Sequence, residues 1–262
     1  MKTLLSLALV ILLSLGTKAQ EKSPSLYLLF EFMHVDGPNG NDYWQVEQFW
    51  SGIHKQRVAD KSILGWDLWS LTPSGTKQGS QYLTVTLFPT LQSMLQAVNS
   101  LDVMALAKKA YPKMTEKELG AMFDKTMKSR EMANQVLLKQ VDKTTGEFTM
   151  KVGTTITMDI MKQVDDSYEK VESEIFKPWH QDLVNKGKKG SWQLLRSILP
   201  AGSQAYGSHL TVSMYNDVNQ LSAFLEGTDF TMDLKTELAV KEGLKTRDWK
   251  EVKFGTLQMM VR

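Results

Sequence analysis

The stretch HKQRVADKSILGW, His54 to Trp66, returns 126 residues later as HQDLVNKGKKGSW, His180 to Trp192. Val58 then lies over Val184, and just beyond, Leu68 lies over Leu194 with no gap. After a one-residue adjustment, Pro73-Ser74-Gly75 matches Pro200-Ala201-Gly202, and Leu83-Thr84-Val85 matches Leu210-Thr211-Val212. Further on, Lys128-Ser129-Arg130-Glu131 answers Lys245-Thr246-Arg247-Asp248, with ten extra residues before it in the first copy only. One such pair is chance; several at constant spacing are an internal repeat, and a repeat has to be read before any single element.

Each copy predicts the same order of elements. Leu26 to Val35 has the apolar and aromatic content of a strand and is closed by Gly37-Pro38-Asn39-Gly40. From Tyr43 to Ala59 the apolar residues Val46, Phe49, Trp50, Ile53 and Val58 recur at mostly helical spacing, behind Asn41 or Asp42 as a cap. Gly65 to Leu71 and Tyr82 to Phe88 read as strands, with Leu83, Val85 and Leu87 on one face. A helix from Pro89 to Val98 follows, then a second behind the capping box of Thr115 and Glu118, and Gln135 to Val141 closes the unit as a strand. The second copy predicts strand 152–161, helix 167–185, strands 191–199 and 208–215, helix 218–225 and a last strand at 252–261. The expected fold class is α+β: two tandem ferredoxin-like βαββαβ units, 24–142 and 148–262, joined by a linker at Asp142 to Glu147. Right-handed crossovers place both helices of a unit on one sheet face, so the other faces should pack sheet to sheet as an intrachain barrel with a pocket between them.

Residues 1–19 predict an address rather than structure. Lys2, an apolar run from Leu4 to Leu15 and Thr17-Lys18-Ala19 resemble a secretory signal peptide cut between Ala19 and Gln20. The run is shorter than the roughly 20 residues a membrane span needs, and no other stretch is long enough. The expectation is an exported, periplasmic or secreted protein, without a transmembrane segment after cleavage. Absence of cysteine removes disulfides and lipoprotein acylation. Of 31 basic residues, Lys2 and Lys18 leave with the signal, so 29 oppose 29 acidic ones and the mature net charge is zero. A neutral chain without a basic stripe is a poor nucleic-acid partner.

On these residues and this element order the chain resembles the dimeric α+β barrel superfamily, with its antibiotic-biosynthesis monooxygenase, EthD and NIPSNAP families, in a tandem form like proteins exported by Bacteroidota. The superfamily hosts cofactor-free oxygenation, haem chemistry, isomerisation and plain binding, so the resemblance implies a fold more than a function. Haem-binding members carry a proximal histidine on a helix of the second unit, where this chain has His180; the Gly-x-x-Asp-Gly motif of dye-decolourising peroxidases is absent, since Met33 precedes Asp36-Gly37 in its place. No cofactor is expected to be required.

Candidate catalytic residues are His180 and His54, at matched positions, and Glu31 and Asp159, acids inside apolar strands where burial would raise a carboxyl pKa. The histidines have no second ligand at metal spacing, and packing beside Trp50 or Trp179 is the competing explanation. Candidate ligand contacts are Trp66 and Trp192, the matched strand positions Tyr82 and His209, and Arg130 and Arg247, which would hold an anionic group at a pocket mouth or pair with a neighbouring helix. Lys186-Gly187-Lys188-Lys189-Gly190 reads as a solvated basic turn. The first expectation is a protein binding a small apolar or amphipathic molecule between its units. The alternatives are a cofactor-independent monooxygenase or isomerase, and a structural or protein-interaction module.

Overall fold

The computed structural model describes residues 26–36, 39–75, 77–227 and 232–262. The expected signal peptide, its cleavage point and the turn at Gly37-Pro38 lie outside them. The elements run β1 Tyr27–His34, α1 Gly40–Ala59, β2 Gly65–Thr72, β3 Tyr82–Phe88, α2 Leu91–Ser100, α3 Val103–Ala110, α4 Glu116–Ser129 and β4 Glu131–Lys143. They continue with β5 Thr155–Gln163, α5 Tyr168–Val171, a π-turn at Glu172–Phe176, α6 Lys177–Asn185, β6 Ser191–Leu199, β7 His209–Tyr215, α7 Val218–Glu226, α8 Leu234–Leu244 and β8 Arg247–Val261.

The eight strands form one closed antiparallel barrel in the order β1-β3-β2-β8-β5-β7-β6-β4. The intrachain barrel expected from the sequence is present, and it closes where β2 pairs with β8 and β4 with β6 along their edges. Closure satisfies edge hydrogen bonds that two open sheets would leave unpaired. Period-two alternation then sorts the side chains. Leu28, Phe30 and Phe32, Leu83 and Val85, Ile156 and Met158, Leu210 and Val212 fill the interior with Trp69, Leu71, Leu138, Leu195 and Leu257. Each such side chain is worth about 1.5–3 kcal/mol when fully buried. A packed interior replaces the expected pocket between sheets, with a cavity of about 210 Å³ beside Phe32, Tyr206 and Lys253.

The other residues of each strand face the helices. Helix α1 buries Tyr43, Val46 and Ile53, with Tyr43 in one core cluster with Trp66 of β2, and its first residue follows Asn39, which makes no side-chain cap, rather than Asn41 or Asp42. Thr115 and Glu118 do form the capping box. Three differences from the sequence reading bear on function. The helix expected over 167–185 carries the π-turn, and α3 and α8 are additional. The short α3 falls below the window over which periodicity is read, and α8 exposes Leu234 and Leu238, so it lacks a clean buried stripe.

Candidate active site

The outer face of the second-half sheet presents Thr157, Asp159 and Met161 from β5 and Thr211, Ser213 and Tyr215 from β7, the positions alternating with the barrel core. Between this face and the helices lies a cavity of about 1020 Å³. Its walls are apolar: Phe176, Trp179, Phe224, Ala239, Val240 and Trp249 among others. Its floor is charged.

Lys189 is 3% exposed and reaches this floor from the turn before β6. Gly187, at φ +68°, takes the left-handed conformation that turns the chain. A Cβ on Gly190 would stand 2.2 Å from the Phe148 ring, so glycine lets the backbone lie against that side chain. Lys189 Nζ donates to Ser213 Oγ at 2.9 Å and lies 3.1 Å from His180 Nδ1. The rings of Phe224, Trp179 and Tyr215 stand 4.8, 5.6 and 5.6 Å from it. Burial brings the amine down to about 8, against the opposing pull of Asp159. Burial likewise raises the Asp159 carboxyl, although Thr211 donates to its Oδ2 at 2.9 Å and Lys189 and Arg247 pull it down. Burial and the Lys189 charge hold His180 well below the usual imidazole range.

One edge of the site is an ion pair between Glu172, in the π-turn, and Arg247, at the start of β8. The Arg247 guanidinium also lies 4.2 Å from the Phe176 ring centroid. Burial raises Glu172 to about 7 in spite of Arg247. Burial, together with Glu172, raises the Tyr168 phenol as well.

The first half repeats the framework, but there the described residues pack α3 and α4 onto α1. Arg130 pairs with Glu47 at 2.5 Å and lies 5.9 Å from the Trp50 ring; burial lifts Glu47 to about 7 and, with Glu47, raises Tyr43. His54 stacks on Trp66 at 4.9 Å and 15°, as His180 stacks on Trp192 at 4.9 Å and 16°. Tyr43 and Glu47 lie 125 residues before Tyr168 and Glu172, whereas Trp50 and His54 lie 126 before Phe176 and His180. The π-turn absorbs that one residue within an otherwise helical segment, a feature often found at functional sites. In the first half α3 and α4 occupy the space instead: Tyr111 stacks on Phe49 at 5.0 Å and Phe123 packs on Phe49 and Trp50. The extra residues of the first repeat therefore lie in the segment that plugs its site.

Of the residues expected from sequence, His180 and Asp159 meet at the cavity, together with Arg247. His54 and Glu31 do not form a second such site: His54 is buried beside Arg57, and Glu31 accepts from Thr84 and Gln135 at 3.2 Å each. Trp66 and Trp192 lie fully buried beneath the histidines and serve packing. Tyr82 packs on Tyr43 and Trp44, and His209 is held by Glu169 at 2.9 Å under Tyr168, so neither lines the cavity. Arg130 and Arg247 are tied into buried pairs with α1 and the π-turn rather than standing free at a mouth. Lys189, Glu172 and Ser213 were missed. Lys189 looked solvated because its neighbours are; at Ser213 the first copy has Thr86, so the shared signal was only a hydroxyl after Leu-Thr-Val.

Among solved structures the chain is similar to a candidate monooxygenase from Fusobacterium nucleatum, at 8% identity and a TM-score of 0.58, over 92% of this chain and 95% of that one. It is also similar to an anthrone oxidase-like protein, at 10% identity and 0.53, over 91% and 93%. A variant chlorite dismutase from Candidatus Nitrospira defluvii matches at 11% identity and 0.51, over 91% and 93%. No family model and no curated protein matches the sequence. At such identities the likeness shows the fold alone: an α+β protein with an eight-stranded antiparallel barrel closed within one chain.

The haem that the family resemblance implies would be held by His180. An axial histidine needs a lone pair at Nε2 and gives its Nδ1–H to an acceptor. At His180 the Lys189 ammonium faces Nδ1, which therefore accepts, leaving the proton on Nε2. The first half shows the same polarity, since Arg57, which only donates, lies 3.3 Å from His54 Nδ1. His180 does not fit the role. Among the described residues no cluster of three or more His, Asp or Glu side chains has metal-holding geometry.

Proposed function

We propose that this protein is an enzyme that removes a proton from a compact apolar or aromatic substrate in the second-half cavity and holds the resulting anion beside Lys189, without a bound cofactor. The observation that carries this is the convergence of Asp159, Lys189 and His180 on the floor of an otherwise apolar cavity of about 1020 Å³. A site that only bound an apolar molecule would need the walls and not the floor, because burying unneeded charge is costly.

Asp159 is the base. Its carboxyl is raised by burial, and Thr211 holds one oxygen, leaving the other for a substrate proton. Lys189 is the electrostatic partner of the developing anion, aimed by Ser213 and His180 and strengthened by the low local dielectric. Arg247 is engaged by Glu172 and orients the wall instead. Reaction of the anion with dioxygen would make the protein a cofactor-free monooxygenase; return of the proton to another carbon would make it an isomerase. The names of the structural neighbours support the oxygenase branch.

Anthrone tests this branch, since it carries an acidic C–H flanked by two rings. Loss of that proton to Asp159 and oxidation by one dioxygen gives anthraquinone and water. Oxygen uptake with quinone formation is expected, and Asp159→Asn should lower turnover by about 10²–10⁴-fold. An Asp159→Asn protein as active as the wild type would remove Asp159 from the chemistry.

The same repeated topology supports reading 24–142 and 148–262 as ferredoxin-like units descended from a duplication, of which the second keeps the working site. Residues 1–19 are proposed to direct export, with cleavage after Ala19.

A further inference from the structure

The surroundings of Lys189 suit more than a fixed positive charge. A neutral amine has two N–H groups and one lone pair. Ser213 Oγ takes one N–H at 2.9 Å and His180 Nδ1 takes the other at 3.1 Å. Among the described residues Nζ has no third hydrogen-bond partner, so the lone pair is left for whatever occupies the cavity that Lys189 lines. Three aromatic rings shield the amine from water, and a lysine desolvated in this way is a nucleophile near neutral pH.

We propose that Lys189 is a covalent site, condensing with the carbonyl carbon of an apolar or aromatic aldehyde or ketone bound in the second-half cavity to form an imine. The Nζ lone pair attacks the carbonyl carbon while the C=O π pair moves to oxygen and takes a proton. Nitrogen loses a proton, and the carbinolamine hydroxyl, protonated by the Asp159 carboxyl, leaves as water as the C=N bond forms. No oxidant or reductant is consumed. The inference rests on the cavity being the substrate site and narrows the substrate to a carbonyl compound, whose α C–H becomes more acidic once the imine is protonated.

The test treats the full chain with 2-naphthaldehyde and cyanoborohydride at pH 8, followed by intact mass and peptide mapping. With Lys189 at about 8 and a solvated lysine at about 10.4, the neutral fraction of Lys189 is higher by roughly 100-fold. One naphthylmethyl group on Lys189 ahead of every other lysine is the expected result. Lys189→Met and Lys189→Arg, both checked for an unchanged melting transition, should lose this first addition, whereas the double variant Lys186→Arg with Lys188→Arg on the same turn should keep it. Naphthalene-2-methanol, which has the same shape and no carbonyl, is titrated in parallel by tryptophan fluorescence, since Trp179 and Trp249 line the cavity. Saturable binding of the alcohol with no selective trapping of the aldehyde would overturn the imine and leave the cavity reading standing. Binding of neither compound would remove both, and slow labelling spread over surface lysines would also overturn the imine.

Discussion

Replacing Glu172 by glutamine isolates the balance between burial and ion pairing at the wall of the cavity. Glu172 is 1% exposed and touches Arg247, yet burial dominates and raises its carboxyl from 4.5 to about 7. Between those values the native chain holds a proton that the unfolded chain has released, so wild-type stability is full below about 4.5 and is lost as pH rises through about 7. At 1.36 kcal/mol for each tenfold change in proton affinity, the rise from 4.5 to about 7 corresponds to at most about 3 kcal/mol. The glutamine side chain has no such titration. His54, His180, Asp67 and Asp159 titrate in both proteins and largely cancel in the difference. Urea unfolding of both proteins across this range should therefore show Glu172→Gln gaining on the wild type as pH rises, then a plateau. A constant offset from the unpaired Arg247 is expected beneath this slope. If the wild type instead gains on the variant as pH rises, the ion pair outweighs desolvation and the reasoning fails. Glu47→Gln should behave alike, because Glu47 is fully buried against Arg130 and is also raised to about 7.

Two further outcomes test the plugged first half and the barrel seam. A Cβ at Gly52 would stand 2.1 Å from the Tyr111 hydroxyl, which donates to the Phe49 carbonyl, so Gly52→Ala should expel Tyr111 and cost about 1–3 kcal/mol in urea unfolding. Gly120→Ala in α4 has nothing within 4 Å and should stabilise by about 0.5–1 kcal/mol; equal effects at the two glycines would refute the plug. At the seam, Arg262 reaches buried Asp67 at 2.8 and 3.0 Å. Arg262→Ala should cost about 1–3 kcal/mol, less than a fully buried pair because Arg262 is partly exposed, and an unchanged melting temperature would exclude the contact from the stability of the barrel.

Much of the architecture was legible because it depends on short-range periodicity. Alternation in Leu83, Val85 and Leu87 and in Leu210 and Val212 marked the core face of β3 and β7, and Thr115 with Glu118 marked the start of α4. The matched histidines pointed to one position in two halves, and Asp159 stood out as an acid within an apolar strand. The fate of those positions was not legible. His54 and His180 have the same local sequence logic, yet one lies under a plugged region and the other lines a cavity, because α3 and α4 approach from far along the chain. Lys189 was read with its solvated neighbours, since composition cannot tell which lysine of a turn swings inward; Gly187 and the contact of Gly190 with Phe148 decide that in three dimensions.

By itself the sequence determined the repeat, the order of the strands, most of the helices and the faces that alternate, all of them properties set by local pattern along the chain. Only the tertiary structure decided that the sheets close edge to edge, that the barrel interior fills, and that a buried amine and a buried acid share one cavity. Those outcomes depend on contacts between residues distant in sequence, where packing volume and desolvation, rather than local pattern, set the free energy.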